Sequence, residues 1–520
     1  MKRFWGQQRV GVGFALALGW GLAASGDVRL PALFSEHAVL QQGVSVPVWG
    51  WADPGEEVTV EFAGQSRQVK AAANGTWRIS LDALKPSQAG AELVVKGKNT
   101  LTVKDVLVGE VWLGSGQSNM AMTVNRCKDF EKEQAAANFP GIRMFTVPRV
   151  VATEPQTACE GTWVVCASNT VEAFSATAYF MGRELHRKLG VPVGLINSSW
   201  GGTPVEAWTS REAMGAVPAL AAVTGPWDEK VAAPWDKTKM MEGYAKRMDA
   251  WKEQVKMAKA AGKSAPRAPQ KPVDPRLSQH RPANLYNAMI APLIPYALRG
   301  AVWYQGESNA RDNSAHLYGV QLQTLIQDWR ARWGVTFPFA WVQLPNFRAS
   351  DRNWPLVREG MLQTLSVPNT GMAITMDIGE SRDIHPKNKQ DVGLRLAFWA
   401  LGEVYGKPVG AVSGPLPSGH AVKGDKVVCS FTHTDGGLVA RGGALKGFVI
   451  AGADRVWHPA AAVIEGSAVV VSSPNVKAPV AVRYAWASDP ECNLFNGAGL
   501  PASPFRTDTF VLPVAEPSKK

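Results

Sequence analysis

The apolar residues of this chain change their period twice, and that change restricts the fold more than any other property of the sequence. Up to about residue 104 they lie in short alternating stretches broken by turn residues: Val44-Ser-Val-Pro-Val-Trp-Gly-Trp51, Asp53-Pro-Gly55, Glu57-Val-Thr-Val-Glu-Phe62, then Asn74-Gly75. Period-two alternation between tight turns makes half-buried strands, so residues 26–104 read as a β-sandwich domain. From 105 to 406 nearly continuous apolar runs at 106–113, 193–197, 299–304, 337–344 and 371–377 alternate with amphipathic stretches at 176–189, 316–333, 357–366 and 389–404. Strands without alternation are covered on both faces, and strands separated by helices pair in parallel. The middle of the chain is therefore expected to be a doubly wound α/β domain. Period-two patterning returns after 407, predicting a C-terminal β region over 407–520.

Composition sharpens this outline. With 520 residues, 46% hydrophobic and 19% charged, the chain has material for about three packed domains and none of the bias of a disordered one. Lys2 and Arg3 precede an apolar run from Gly11 to Ala24 that is too short to span a bilayer, and small residues at Ala23-Ala24-Ser25 suit cleavage. Residues 1–25 read as a signal peptide, and the mature protein is expected to be exported, periplasmic or extracellular, without a membrane anchor. The formal charge of +11 hides an uneven distribution: thirteen basic and seven acidic residues lie between Trp227 and Arg281. Charges there alternate at helix spacing and give way to a Pro-rich return, which marks 227–281 as a solvated helical insertion. It lacks the interleaved stacking aromatics of a nucleic-acid surface, so no nucleic-acid partner is expected. Five cysteines form no zinc spacing, and neither metal nor cofactor is expected; Cys159 and Cys166 are close enough in sequence to bridge.

Polar residues that carry chemistry gather after the strands of the middle domain. Gly114-Ser-Gly-Gln-Ser118-Asn-Met120 follows the first and opens a helix, which exposes the Ser118 hydroxyl beside backbone N–H groups; Ser118 is the candidate nucleophile. Met120 stands where an α/β-hydrolase elbow has its second Gly. The candidate base is His385, in Ile378-Gly-Glu-Ser-Arg-Asp-Ile-His-Pro386, with Asp383 two residues before it to fix the imidazole tautomer. Asn197-Ser-Ser-Trp-Gly-Gly202 supplies glycines able to approach an acyl oxygen, and Trp303-Tyr-Gln-Gly-Glu-Ser-Asn309 supplies the amides of Gln305 and Asn309. All four loops meet at the carboxyl edge of one parallel sheet, where such folds bind ligands.

These four blocks, in this order behind a β domain, resemble the sialate O-acetylesterase family of SGNH hydrolases, which includes acetylxylan-type esterases. The resemblance implies a three-layer SGNH-type sheet and removal of acetyl groups from O-acetylated carbohydrate through an acyl-enzyme. It implies Ser118 as nucleophile, His385 as base, and an oxyanion hole from the Ser118 amide, the amide of Gly201 or its neighbour, and a side-chain amide, Gln305 or else Asn309. Gln117, Trp200, Trp208 and Glu307 are expected on the substrate. The superfamily often has an Asp three residues before the His; here that position is Arg382, so the acid is Asp383, Glu380, Asp377 or absent. A sialate carboxylate would call for an arginine such as Arg311, Arg348, Arg358 or Arg382, whereas other acetylated glycans would be served by Trp200, Trp208, Trp303 or Trp354.

Two other functions compete. A glycoside hydrolase would pair Glu307 with Glu380 or Asp377 but leaves Ser118 and His385 without a task. A non-catalytic carbohydrate-binding protein would explain the β domains and the 20 tryptophans but not four converging polar loops.

Overall fold

A computed structural model describes residues 27–311, 313–348 and 353–511. Residues 1–25, read above as a signal peptide, lie outside them. The middle of the chain builds a mainly parallel sheet from β1 (Thr100–Gly116), β2 (Phe139–Thr146), β3 (Trp163–Cys166), β4 (Val193–Ser199), β5 (Gly300–Tyr304), β6 (Phe339–Val342) and β7 (Thr370–Ala373). They lie in the order β7-β6-β5-β1-β4-β2-β3, with only the β2–β3 pair antiparallel.

The expected apolar runs became buried strands for a reason visible in their neighbours. Leu113, Ile196, Ala301, Trp303, Phe339 and Trp341 join one buried cluster, while Trp112, Leu195, Val302, Tyr304, Ala340 and Val342 join another. Alternate residues of each strand thus enter different cores, so neither face can be polar. The first cluster is closed by α4 (Tyr318–Trp333) and α5 (Trp354–Thr364), the second by α2 (Ala176–Leu189) and α6 (Lys389–Trp399). Edge-to-face tryptophans fill much of this space: Trp303 meets Trp208 at 6.1 Å and Trp329 at 6.0 Å, and Trp112 meets Trp399 at 6.4 Å. Truncating any one of them would cost about 3–5 kcal/mol.

β2 and β3 were not legible as strands. Pro140 and Gly141 interrupt the start of β2, and its Arg143 is buried against Asp105 at 2.6 Å. β1 is longer than its apolar run because its first half pairs with the strand Ser87–Lys96 of the N-terminal region. The position 104/105 therefore lies within one strand. Asp105 bends it there with a left-handed φ of 53°, and its carboxylate holds both Arg143 and His37.

Within the basic insertion, α3 (Lys237–Ala260) buries no residue and carries Lys252–Asp249 and Lys256–Glu253 pairs along its surface. The C-terminal residues form two four-stranded sheets around their own core, including Val427, Val469, Val471, Ile450 and Val482. The suggested Cys159–Cys166 bridge is not formed, and all five cysteines are free thiols. Cys166 belongs to the core under α2, whereas Cys159 packs at the margin of the other cluster, which keeps the two sulfurs apart. Among the described residues no helix is long and apolar enough to cross a membrane.

Candidate functional site

Strand register brings the four loops to one level. Gly116 at the end of β1 aligns with Ser199 of β4 and with Tyr304 of β5, and the last residues of β6 and β7, Val342 and Ala373, align with each other. Gly116 has a φ of 135°, and a Cβ there would lie 2.2 Å from the Tyr304 carbonyl oxygen, so only glycine lets the chain turn this close to β5.

The turn leads into α1 (Ser118–Ala121), a single turn of helix. Its macrodipole is correspondingly small, and any anion stabilisation there falls to individual N–H groups. Gln117 N–H donates to Tyr304 O at 2.9 Å, and Trp200 N–H donates to Gly116 O at 3.0 Å. Gln117 and Asn119 are buried while Ser118, between them, keeps partial exposure. Gly201 lies directly against the serine: a Cβ on it would be 3.3 Å from Ser118 Cβ, a close contact that glycine leaves open.

The loop after β7 carries the acid–base candidates. Asp383 Oδ1 accepts the His385 backbone N–H at 2.9 Å and lies 3.7 Å from His385 Nδ1, on the correct nitrogen though longer than a hydrogen bond. Half-burial pushes the His385 imidazole below its ordinary range. Asp383 opposes that shift, while the charges of Lys389 and Arg126 add to it. The other carboxylates are committed elsewhere: Asp377 holds Arg395 through both oxygens at 2.6 and 2.8 Å, and Glu380 accepts the Lys387 N–H at 2.8 Å.

Several expected roles are overturned by burial. Gln305 is fully buried and donates both amide hydrogens inward, to Asn309 Oδ1 at 2.7 Å and Thr203 O at 3.2 Å, while its oxygen accepts from Tyr318 at 2.9 Å. No N–H is left for an oxyanion. Asn309 is equally enclosed, donating to Glu206 at 3.0 Å and accepting from Val205 N–H at 3.0 Å. Both amides brace the loops against one another. Trp208 is also fully buried, its indole N–H on Thr203 Oγ1 at 2.9 Å, and Trp303 and Trp354 are buried likewise, so of these rings only Trp200 retains surface near the serine. Arg358 is enclosed and donates to the carbonyls of Leu344, Pro345, Ala487 and Ser488; burial pushes it down to about 9 against the opposing influence of Cys492 and Asp489, and no substrate can reach it.

Glu307 does not reach substrate either. It is buried and accepts a hydrogen bond from Asn119, the neighbour of Ser118, and its Oε2 has no partner among the described residues. The Asn119 amide also donates to Ile384 O at 2.9 Å, and its oxygen accepts from Lys389 Nζ at 2.7 Å. Lys389 in turn holds Pro386 O at 2.7 Å. One buried amide thus joins the serine turn to the backbone on both sides of His385. Burial is the largest influence on both ionisable members, raising Glu307 and pushing Lys389 down to about 7. Neither Asn119 nor Lys389 stood out in the sequence. Asn119 was marked only by adjacency to Ser118, and a lysine at the start of an amphipathic helix ordinarily faces water.

Known proteins resemble this chain along most of its length. Residues 276–400 match the family described as carbohydrate esterase, sialic acid-specific acetylesterase. The chain is 32% identical to the sialate O-acetylesterase of Mus musculus, over 92% of this chain and 94% of that one, and 30% identical to that of Homo sapiens, over 96% and 94%. A crystal structure of a carbohydrate acetylesterase from Xanthomonas citri superposes with a TM-score of 0.79 at 37% identity, covering 93% of this chain and 100% of the other. With such similarity along nearly its whole length, the chain belongs to the sialate O-acetylesterase family of carboxylic-ester hydrolases.

Proposed function

We propose that this protein is an exported esterase that removes acetyl groups from O-acetylated carbohydrate with a serine–histidine pair. On this reading residues 105–406 form a three-layer SGNH-type hydrolase domain, interrupted by the insertion 227–281 and flanked by the β regions 26–104 and 407–520. The observation that carries it is the meeting of Ser118 and Gly201 at the sheet edge, tied through Asn119 to the loop of His385.

The chemistry follows from these groups. Ser118 Oγ attacks the acetyl carbonyl while His385 takes its proton, Asp383 beside Nδ1 favouring the imidazolium that forms. The backbone amides of Ser118 and Gly201 stabilise the tetrahedral oxyanion. As the C–O bond breaks, His385 returns the proton to the sugar oxygen; it then deprotonates water, which releases acetate and restores Ser118. Glu307 with Asp377 or Glu380 gives no competing pair, since Glu307 is buried and Asp377 is held by Arg395.

Two measurements test this reading. Acetate release from O-acetylated sialosides and from acetylated xylan should favour one carbohydrate class by at least tenfold in kcat/KM; glycosidic cleavage without acetate release would refute the esterase assignment. Burial lowers the His385 pKa, so its neutral, proton-accepting form persists into mild acid. The acid limb of kcat/KM on 4-nitrophenyl acetate is therefore expected to be half-maximal below pH 6.5. A limb centred at pH 7 or higher would contradict His385 as the base.

A further inference from the structure

The C-terminal β region reaches into the support of the acid–base loop, and it does so through one carboxylate. Asp489 lies in the loop that follows the strand Ala481–Tyr484, and its side chain is largely covered. Its Oδ1 accepts from Ser381 Oγ at 3.0 Å and from Asn346 Nδ2 at 3.1 Å. Ser381 is four residues before His385, and Asn346 lies in the loop after β6. The two loops are cross-linked at the same place: Asn346 Oδ1 accepts the Gly379 N–H at 3.0 Å, and Arg348 N–H donates to Ser381 O at 3.0 Å. A Cβ on Gly379 would approach the Asn346 carbonyl oxygen to 2.2 Å, so the loops touch backbone to backbone.

The Asp489 loop is itself anchored. Arg358 on α5 donates to Ala487 O at 2.6 Å and Ser488 O at 2.9 Å, and Phe347 N–H donates to Ser488 O at 3.1 Å. The chain of contacts runs from a buried helix arginine, through the C-terminal region, to Ser381. From there the backbone continues through the Glu380–Asp383 bridge, where Asp383 N–H donates to Glu380 O at 3.1 Å, to His385.

We propose that Asp489 is a positioning residue for His385, making the C-terminal β region part of the catalytic apparatus. This rests on the assignment of Ser118 and His385 as the reacting pair. Asp489 touches neither substrate nor imidazole. It acts by accepting two hydrogen bonds that fix the loop on which the imidazole is carried, and a displacement of about 1 Å at such a loop lowers turnover by about 100-fold.

The test compares purified full-length wild type with Asp489→Ala, Asp489→Asn, Ser381→Ala and the Asp489→Ala/Ser381→Ala double variant, on 4-nitrophenyl acetate. Thermal unfolding is recorded alongside. Asp489→Ala should lower kcat by about 10- to 100-fold with KM within about twofold. Asp489→Asn keeps an acceptor oxygen and should recover kcat to within about threefold of wild type. Ser381→Ala should share the loss, and the double variant should be no worse than the more damaged single. If Asp489→Ala does not fold, Ser381→Ala carries the same expectation. Wild-type kcat in a folded Asp489→Ala or Ser381→Ala variant, independent losses in the double variant, or no recovery with Asn overturns the proposal. His385→Ala separates this from failure of the underlying assignment: full turnover there refutes the reacting pair itself, whereas its loss beside an unaffected Asp489→Ala refutes only the positioning role.

Discussion

Ser118→Ala is expected to lower kcat on 4-nitrophenyl acetate and on O-acetylated sugar by about 10⁴-fold or more, with the unfolding midpoint unchanged. The turn is held by backbone hydrogen bonds, Gln117 N–H to Tyr304 O and Met120 N–H to Gln117 O, in which the Ser118 hydroxyl takes no part. Alanine keeps the Cβ that Gly201 approaches, so the loops should remain where they are. The variant thus removes the attacking oxygen and little else. Turnover within tenfold of wild type would eliminate the acyl-enzyme route.

The second large effect is expected at Lys389, in stability as well as rate. Lys389→Met preserves length and apolar stem but leaves Asn119 Oδ1 and Pro386 O without that donor and removes one of the two cations, Lys389 and Arg311, that act on buried Glu307. Breaking a buried charged network in this way costs about 3–5 kcal/mol, measurable as a lower urea midpoint. Rate should fall as well, since Asn119 follows Ser118 and Pro386 follows His385. The effect carries a pH signature. The folded lysine is pushed down to about 7 from 10.5, so between these values the unfolded chain binds a proton that the folded chain has released. Its contribution to stability therefore rises with pH from about 7 to 10.5, and its cost is greatest below 7. Lys389→Met should flatten that slope; an unchanged midpoint and slope would show that Lys389 does not join the two loops.

What the sequence disclosed and what it withheld follow one physical division. Elements set by local periodicity were legible: the pattern over 176–189 became α2, Ala176–Leu189, and the apolar runs at 193–197 and 299–304 became β4 and β5. The placement of the polar blocks was legible as well, because a short polar block directly after a buried strand must emerge at the sheet edge. Roles that depend on which side chains meet across the fold were not. Gln305 and Asn309 looked like free donors until their partners, Thr203, Glu206 and Tyr318, came into place. Trp208 resembled a sugar platform, but it lies between Thr203 and the ring of Trp303. Asn119 and Lys389 gained their meaning only through contacts 265 and 270 residues distant.

The continuous strand Thr100–Gly116 bears on how such chains are inherited and engineered. Its first half is hydrogen-bonded to the N-terminal strand Ser87–Lys96, its second half to β4 and β5, and its last residue is the glycine on which the Ser118 turn depends. A recombination crossover at the boundary where the hydrophobic pattern changes would split this strand. Grafts between relatives must instead transfer the N-terminal region together with the strand that ends at the Ser118 turn, because that region is built into the strand that carries the turn and is not an exchangeable module.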